Sequence, residues 1–173
     1  MAAVLTFFIM ASVVASPPAS MAELQKDPQP VVMSAKGGIQ VDLKRRVGVA
    51  TDDVIISRDD VTVCCDRAEA VYDKDKIRKV TCTGRVVIVR PDGTKASAHE
   101  ALFEAVANRV TLRGGAKVWS KDAHLVGKRI VYDIAKDTLE VVGGPSRFTF
   151  DPKGKKPPKT LRSCARPTGP KAP

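Results

Sequence analysis

The chain has 173 residues, the size of a single domain, and is 43% hydrophobic but only 5% aromatic. Its formal charge of +10 is uneven: residues 151–173 carry seven Lys and Arg against one Asp, and residues 1–150 carry 22 against 18. Scarce aromatics argue against a base-stacking nucleic-acid surface, and no apolar run reaches the roughly 20 residues of a membrane span.

The chain opens on an almost wholly apolar run, Ala2 to Ala15, stopped by Ser16-Pro17-Pro18. Its length suits the core of a secretory signal, so residues 1–22 are expected to be a signal peptide. Ser20-Met21-Ala22 places small residues where a signal peptidase reads, and Val13-Val14-Ala15 is a second cleavage candidate. No Lys or Arg precedes the apolar run, and no cysteine stands where a lipoprotein anchor needs one. Residues 23–37 hold Pro28 and Pro30 and few strand signals, and are expected to be a linker or edge segment.

From residue 38 to 150 one pattern recurs about every 30 residues. Arg78-Lys79-Val80-Thr81-Cys82-Thr83-Gly84-Arg85-Val86-Val87-Ile88 is one copy. Asn108-Arg109-Val110-Thr111-Leu112-Arg113-Gly114-Gly115-Ala116-Lys117-Val118 is the next, and Asp137-Thr138-Leu139-Glu140-Val141-Val142-Gly143-Gly144 a third. A weaker copy runs from Arg46 through Thr51-Asp52-Asp53 to Ile56. Each reads as a β-branched strand, a Gly-centred turn and a second strand. Between copies stand Arg67–Asp73, Ala98–Glu104 and Gly127–Asp133, with an aromatic at Tyr72, Phe103 and Tyr132 and a polar hairpin after it. A fixed period in this range reports stacked structural repeats.

Alternation such as Val61-Thr62-Val63, Val80-Thr81-Cys82 and Phe148-Thr149-Phe150 has period 2, the mark of strands with one buried face. No stretch sustains a helical period, and residues 99–107, which have fair helix propensity, align with the β-branched Lys128–Val131. The expected fold class is therefore all-β, built of stacked antiparallel hairpins.

Catalytic chemistry finds little footing. Asp52-Asp53, Asp59-Asp60, Asp73 and Asp75 read as turn carboxylates. His99 and His124 lack ligand-spaced partners, and no nucleophile elbow or phosphate loop is present. No enzyme, cofactor or metal is expected. Cys64, Cys65, Cys82 and Cys164 show no metal spacing. Adjacent Cys64 and Cys65 point to opposite faces of a strand, and in an exported chain Cys82 is a candidate partner for either, the equal alternative being that some of the four are small apolar core residues. Residues 151–173, rich in Pro and Lys, are expected to form a disordered basic tail.

Thr83-Gly84-Arg85-Val86-Val87-Ile88, Cys65-Asp66-Arg67-Ala68-Glu69 and Val131-Tyr132-Asp133, in this order and recurrence, resemble the LptA/OstA-like periplasmic lipopolysaccharide-transport proteins. The likeness covers about residues 38 to 150. It departs where Lys44-Arg45-Arg46 replaces a Tyr-Asp hairpin and where His99 replaces an acidic residue. The resemblance implies an OstA-like β-jellyroll over residues 38–150. It implies a periplasmic location and an apolar trough for the acyl chains of lipopolysaccharide (its lipid A part). It also implies inner-membrane and outer-membrane transport partners, reached by end-to-end association that extends to homo-oligomers. The trough residues would be Val54, Ile56, Val63, Val86, Ile88, Phe103, Leu112, Val118, Ile130, Tyr132, Leu139 and Phe148. By charge alone, Arg45, Arg46, Arg109, Arg113, Lys128 and Arg129 are candidates for glycolipid phosphates near the openings. The alternative is a cell-envelope scaffold whose repeats pack a closed core.

Overall fold

The computed structural model describes residues 31–58, 61–74, 76–152 and 164. The expected signal peptide and most of the basic tail lie outside them. Ten strands are found among the described residues: β1 (Val32–Ser34), β2 (Gly38–Asp42), β3 (Val47–Arg58), β4 (Val61–Asp73), β5 (Lys76–Val89), β6 (Lys95–Glu104), β7 (Arg109–Trp119), β8 (Ala123–Asp133), β9 (Thr138–Val141) and β10 (Arg147–Phe150). All pairings are antiparallel, and β3 to β8 lie side by side in chain order. β1 and β2 both pair with β3, and β9 and β10 both pair with β8. The all-β jellyroll class is thus the observed one.

The Gly-centred turns are not hairpin turns. Those at Asp52-Asp53, Gly84-Arg85 and Gly114-Gly115 lie inside the continuous strands β3, β5 and β7 and crease them, and Gly143-Gly144 lies in the break between β9 and β10. Ladder register breaks between Thr51 and Val54, Cys64 and Arg67, Thr83 and Val86, Ser97 and Glu100, and Arg113 and Ala116. These breaks align into one crease that divides the sheet into two wings. One wing holds β2, β9 and residues 47–51, 67–73, 76–83, 100–104, 109–113 and 129–133. The other holds β1, β10 and residues 54–58, 61–64, 86–89, 95–97, 116–119 and 123–127. A bulge adds a residue to one strand and bends it, which is how a long ladder turns without breaking.

All four sequence copies place two consecutive left-handed residues at this crease: Asp52 and Asp53, Gly84 and Arg85, Gly114 and Gly115, Gly143 and Gly144. The Asp pair of the weak first copy takes the glycines' conformation, which short polar side chains tolerate best after glycine. At Gly84 and Gly114 space adds a second demand. A Cβ on Gly84 would collide with the Asp66 carboxylate of β4, and one on Gly114 would stand 2.6 Å from the His99 Cβ of β6. The Asp-or-His position of the recurring unit therefore packs over the crease glycine of the next strand. His99 fills that place as Asp66 does.

Parity then sorts the side chains. Ala50, Val54, Ile56, Cys65, Ala68, Ala70, Val80, Cys82, Val86, Ala96, Ala101, Leu112, Ala116, Val118 and Ile130 form one buried cluster fed by both wings. Val63, Ile77, Ile88, Phe103, Val110, Leu125 and Val141 pack against it. Burying each of the larger aliphatics contributes about 1.5–3 kcal/mol. Many of the rest are alanine or cysteine, which lets the wings approach closely.

The expectation that Cys82 pairs with Cys64 or Cys65 is corrected. Cys64 is bonded to Cys164, with Sγ atoms 2.10 Å apart, closing a loop of sequence separation 100. Cys65 and Cys82 are buried thiols outside that disulfide. The faces explain why Cys64 does not meet Cys82: Cys82, like Cys65, points into the interior, whereas Cys64 points out of it. The hydrogen bond with Cys65, and then burial, push the Cys82 thiol far up, so it stays protonated.

Candidate functional site: the apolar interior and its mouth

The trough residues of the sequence reading divide by depth. Val54, Ile56, Val86, Leu112, Val118 and Ile130 are buried in the central cluster, and Val63, Ile88 and Phe103 pack against it. Leu139 and Phe148 stand in the open. Their places in the ladder show why. Phe148 pairs with Leu125 and Leu139 with Tyr132, on the inward parity of β10 and β9, beyond which no further strand follows among the described residues.

The other end is alike. Ile39 pairs with Ala50 and Val41 with Gly48, so both carry the inward parity onto the first strand of that wing, and both are about half exposed. Phe150 joins Phe148 at the far end; they are 64% and 68% exposed. The apolar lining therefore runs from β2 through the packed middle to β10 and meets solvent at both ends. Ile39 and Val41 lie outside the trough residues expected from the sequence, although Ile39-Gln40-Val41 carries the same alternation. The inward alanines Ala50, Ala68, Ala70, Ala96 and Ala116 carry no β-branched or aromatic signal, so the alternation of Val, Ile and Leu does not mark them.

Opposite the crease, the free ends of the wings form two lips. One carries the turns at 43–46, 105–108 and 134–137, and the other the turns at 90–94 and 120–122. Tyr72, Phe103 and Tyr132, the recurring aromatics, all lie toward the first lip. Tyr132 is not simple lining. Its phenol donates to Asp137 Oδ1 at 2.6 Å, and the Arg90 guanidinium of the opposite lip lies over its ring, 5.5 Å from the centroid. Burial, then the bond to Asp137, push the phenol above its ordinary value of 10.

The phosphate candidates are spread out. Arg109, Arg113 and Arg129 face away from the interior, around a polar concavity of about 450 Å³ that also includes Glu104, Asp133 and Glu140. Parity requires this, since Arg109 and Arg113 alternate with Val110 and Leu112. Arg113 is bonded to Glu100 at 3.2 Å. Lys128 is exposed beside Gly144 at the crease. Arg45, in the β2–β3 turn, lies 3.8 Å from Asp42, and Arg46 is tied to Asp73 on its own lip.

Other carboxylates have structural partners. Asp66 takes a two-pronged bond from Arg85, with contacts of 2.6, 3.0 and 3.1 Å, across the crease. Asp73 is held below its ordinary range, first by the hydrogen bond from Arg78 and further by Arg46. Among the described residues no three His, Cys, Asp or Glu gather to hold a metal ion, and no helix is long and apolar enough to cross a membrane.

Residues 36–138 match the family model of the LptA/(LptD N-terminal domain) LPS transport proteins. Comparison with curated proteins gives no match. Among solved structures, the fold is similar to that of LptH from Pseudomonas aeruginosa, described as the LptA homologous periplasmic component of the conserved lipopolysaccharide transport device. The TM-score is 0.65 at 23% identity, over 72% of this chain and 96% of that one. The matched segment takes in the crease, both wings and the mouth, and on that ground the chain belongs to the LptA/LptD N-terminal-domain family of lipopolysaccharide transport proteins.

Proposed function

We propose that this chain carries lipopolysaccharide through the periplasm, sheltering acyl chains between its wings and joining inner-membrane to outer-membrane components end to end. The observation that carries the reading is the continuous apolar parity from Ile39 and Val41 to Phe148 and Phe150, exposed at both ends. Each buried methylene contributes about 0.8 kcal/mol, enough to hold a chain and small enough per step to let it slide. Among the described residues the outer edges of the terminal strands have no strand partner, which suits strand addition by a partner or a second copy. The Cys64–Cys164 disulfide supports an oxidising compartment, as export to the periplasm requires. With Asp66 and Asp73 both engaged by arginines, the reading assigns no catalytic role.

The packed middle favours a second reading, a scaffold with a closed core, because Val54 and Ile130 are fully buried by neighbours. In the transport reading the wings part to admit lipid. Native mass spectrometry of the mature chain with purified lipopolysaccharide separates the two. A glycolipid adduct competed by lipid A supports transport, and Phe103→Asp should abolish it while Lys121→Ala leaves it. A folded chain with no adduct at high lipid would leave the scaffold.

A further inference from the structure

Arg90 belongs to the lip formed by the β5–β6 turn, and its inward parity follows from Val86 and Ile88 on the same strand. The turn holds it firmly. The Arg90 amide donates to the Thr94 carbonyl at 3.0 Å, the Gly93 amide to the Arg90 carbonyl at 3.1 Å, and the Thr94 amide to Asp92 Oδ1 at 2.8 Å. The opposite lip presents Tyr132 at the end of β8 and Asp137 in the following turn, where Asp137 is left-handed. Arg90 spans the mouth between them. Its Nη1 donates to the Tyr132 hydroxyl at 3.4 Å and stands 3.8 Å from Asp137 Oδ1.

The quality of these contacts matters. Arg85 spends its guanidinium on a tight fork with Asp66. Arg90 has one long hydrogen bond, a ring beneath it, and carboxylates of Asp92 and Asp137 at 3.8 Å, beyond hydrogen-bond range. A guanidinium has five donors in a fork that fits a phosphate, so most of its capacity here is unspent. It sits at the mouth of the apolar interior, within reach of a headgroup whose acyl chains lay between the wings.

We propose that Arg90, Tyr132 and Asp137 clasp the two lips, and that the phosphate headgroup of an acylated ligand opens the clasp by drawing Arg90 onto itself. The acyl part rests on the transport reading above; the clasp itself does not. Closure comes from the cross-mouth contacts, and release from exchanging a poor set of hydrogen bonds for a charge-assisted fork. Arg90 thereby becomes a specificity-determining residue, whereas Arg109, Arg113 and Arg129 on the outer face take no part.

The test compares the full mature chain with Arg90→Gln, Arg90→Lys and Asp137→Asn, the last a residue that tolerates the left-handed backbone. Hydrogen exchange without ligand should quicken at residues 90–94 and 134–137 in Arg90→Gln and Asp137→Asn, and stay unchanged at Val54 and Ile130. Lipid A and its dephosphorylated form are then offered separately. The wild type should favour the phosphorylated form by roughly tenfold, the worth of one charge-assisted bond. Arg90→Gln should lose that preference and Arg90→Lys keep part of it. Inorganic phosphate that quickens exchange at the lips as lipid A does would assign release to the phosphate alone; an effect of lipid A only would require the acyl chains as well. Unchanged exchange in both clasp variants overturns the closure, and a retained phosphate preference in Arg90→Gln overturns the headgroup role. If the wild type takes up neither lipid, the transport reading and the headgroup role both fall, while exchange still decides the closure.

Discussion

Asp66 on β4 and Gly84 on β5 share one space: a Cβ on the glycine would stand 2.9 Å from the Asp66 Cβ and nearer still to its carboxylate. Gly84 also holds a left-handed backbone, and Arg85 beside it grips the same carboxylate. Strain and collision therefore add. Gly84→Ala should destabilise the fold by about 2–3 kcal/mol. Gly93→Ala, left-handed too but with open space around it, should cost only about 1 kcal/mol. Urea unfolding of both variants checks the difference; equal losses would mean that packing over the crease contributes nothing.

The Cys64–Cys164 bond closes a loop of 100 residues, so its removal frees the unfolded chain considerably. Cys164→Ser, or reduction, should cost about 2–4 kcal/mol and lower Tm by roughly 10 °C. Calorimetry with and without reductant reads this directly. A Tm insensitive to reductant would argue against the pairing.

Ile130 is fully buried where β7, β8 and β9 meet, whereas Leu139 on β9 is half exposed. Ile130→Ala should cost about 2–4 kcal/mol and Leu139→Ala within roughly 0.5–1 kcal/mol. Chemical denaturation gives both values, and reversed magnitudes would displace the core from the middle of the stack.

Tyr132 gives a spectroscopic handle. In a Tyr72→Phe chain it is the sole tyrosine. Its tyrosinate absorbance should appear above the ordinary value of 10, since burial and Asp137 both oppose the charged form. Asp137→Asn should bring the midpoint down, and Arg90→Gln should raise it, because Arg90 favours the phenolate. The sign for stability follows. A raised native pKa means that the contribution is fully present below pH 10 and fades as pH climbs through the native midpoint. A midpoint at or below 10 would contradict the clasped geometry.

Phe148 and Phe150 are exposed on the last strand, so polar replacements should leave the fold nearly untouched. If the ends associate through them, Phe148→Glu should weaken concentration-dependent association, measured by sedimentation velocity, at unchanged Tm. Identical sedimentation of the two chains would remove this end from the docking account.

The order of residues along the chain determined much of this protein. The 30-residue period, the paired Asp, Gly-Arg and Gly-Gly positions and the alternation of Val, Ile and Thr specify an antiparallel stack with one apolar face, because a strand's side chains have period 2 and left-handed backbone favours few residue types. The outward placement of Arg109 and Arg113 was legible too, from their alternation with Val110 and Leu112. What the tertiary structure alone decided depends on contacts between distant segments. Gly84 and Gly114 crease a strand instead of reversing it because Asp66 and His99 of the neighbouring strands pack against them. Cys64 meets Cys164, not Cys82, because the sheet separates its two faces. Arg90 reaches Tyr132, 42 residues on, because the crease folds the wings until opposite lips touch. Local pattern records each strand's own preferences, and only the closed fold records which of them face each other.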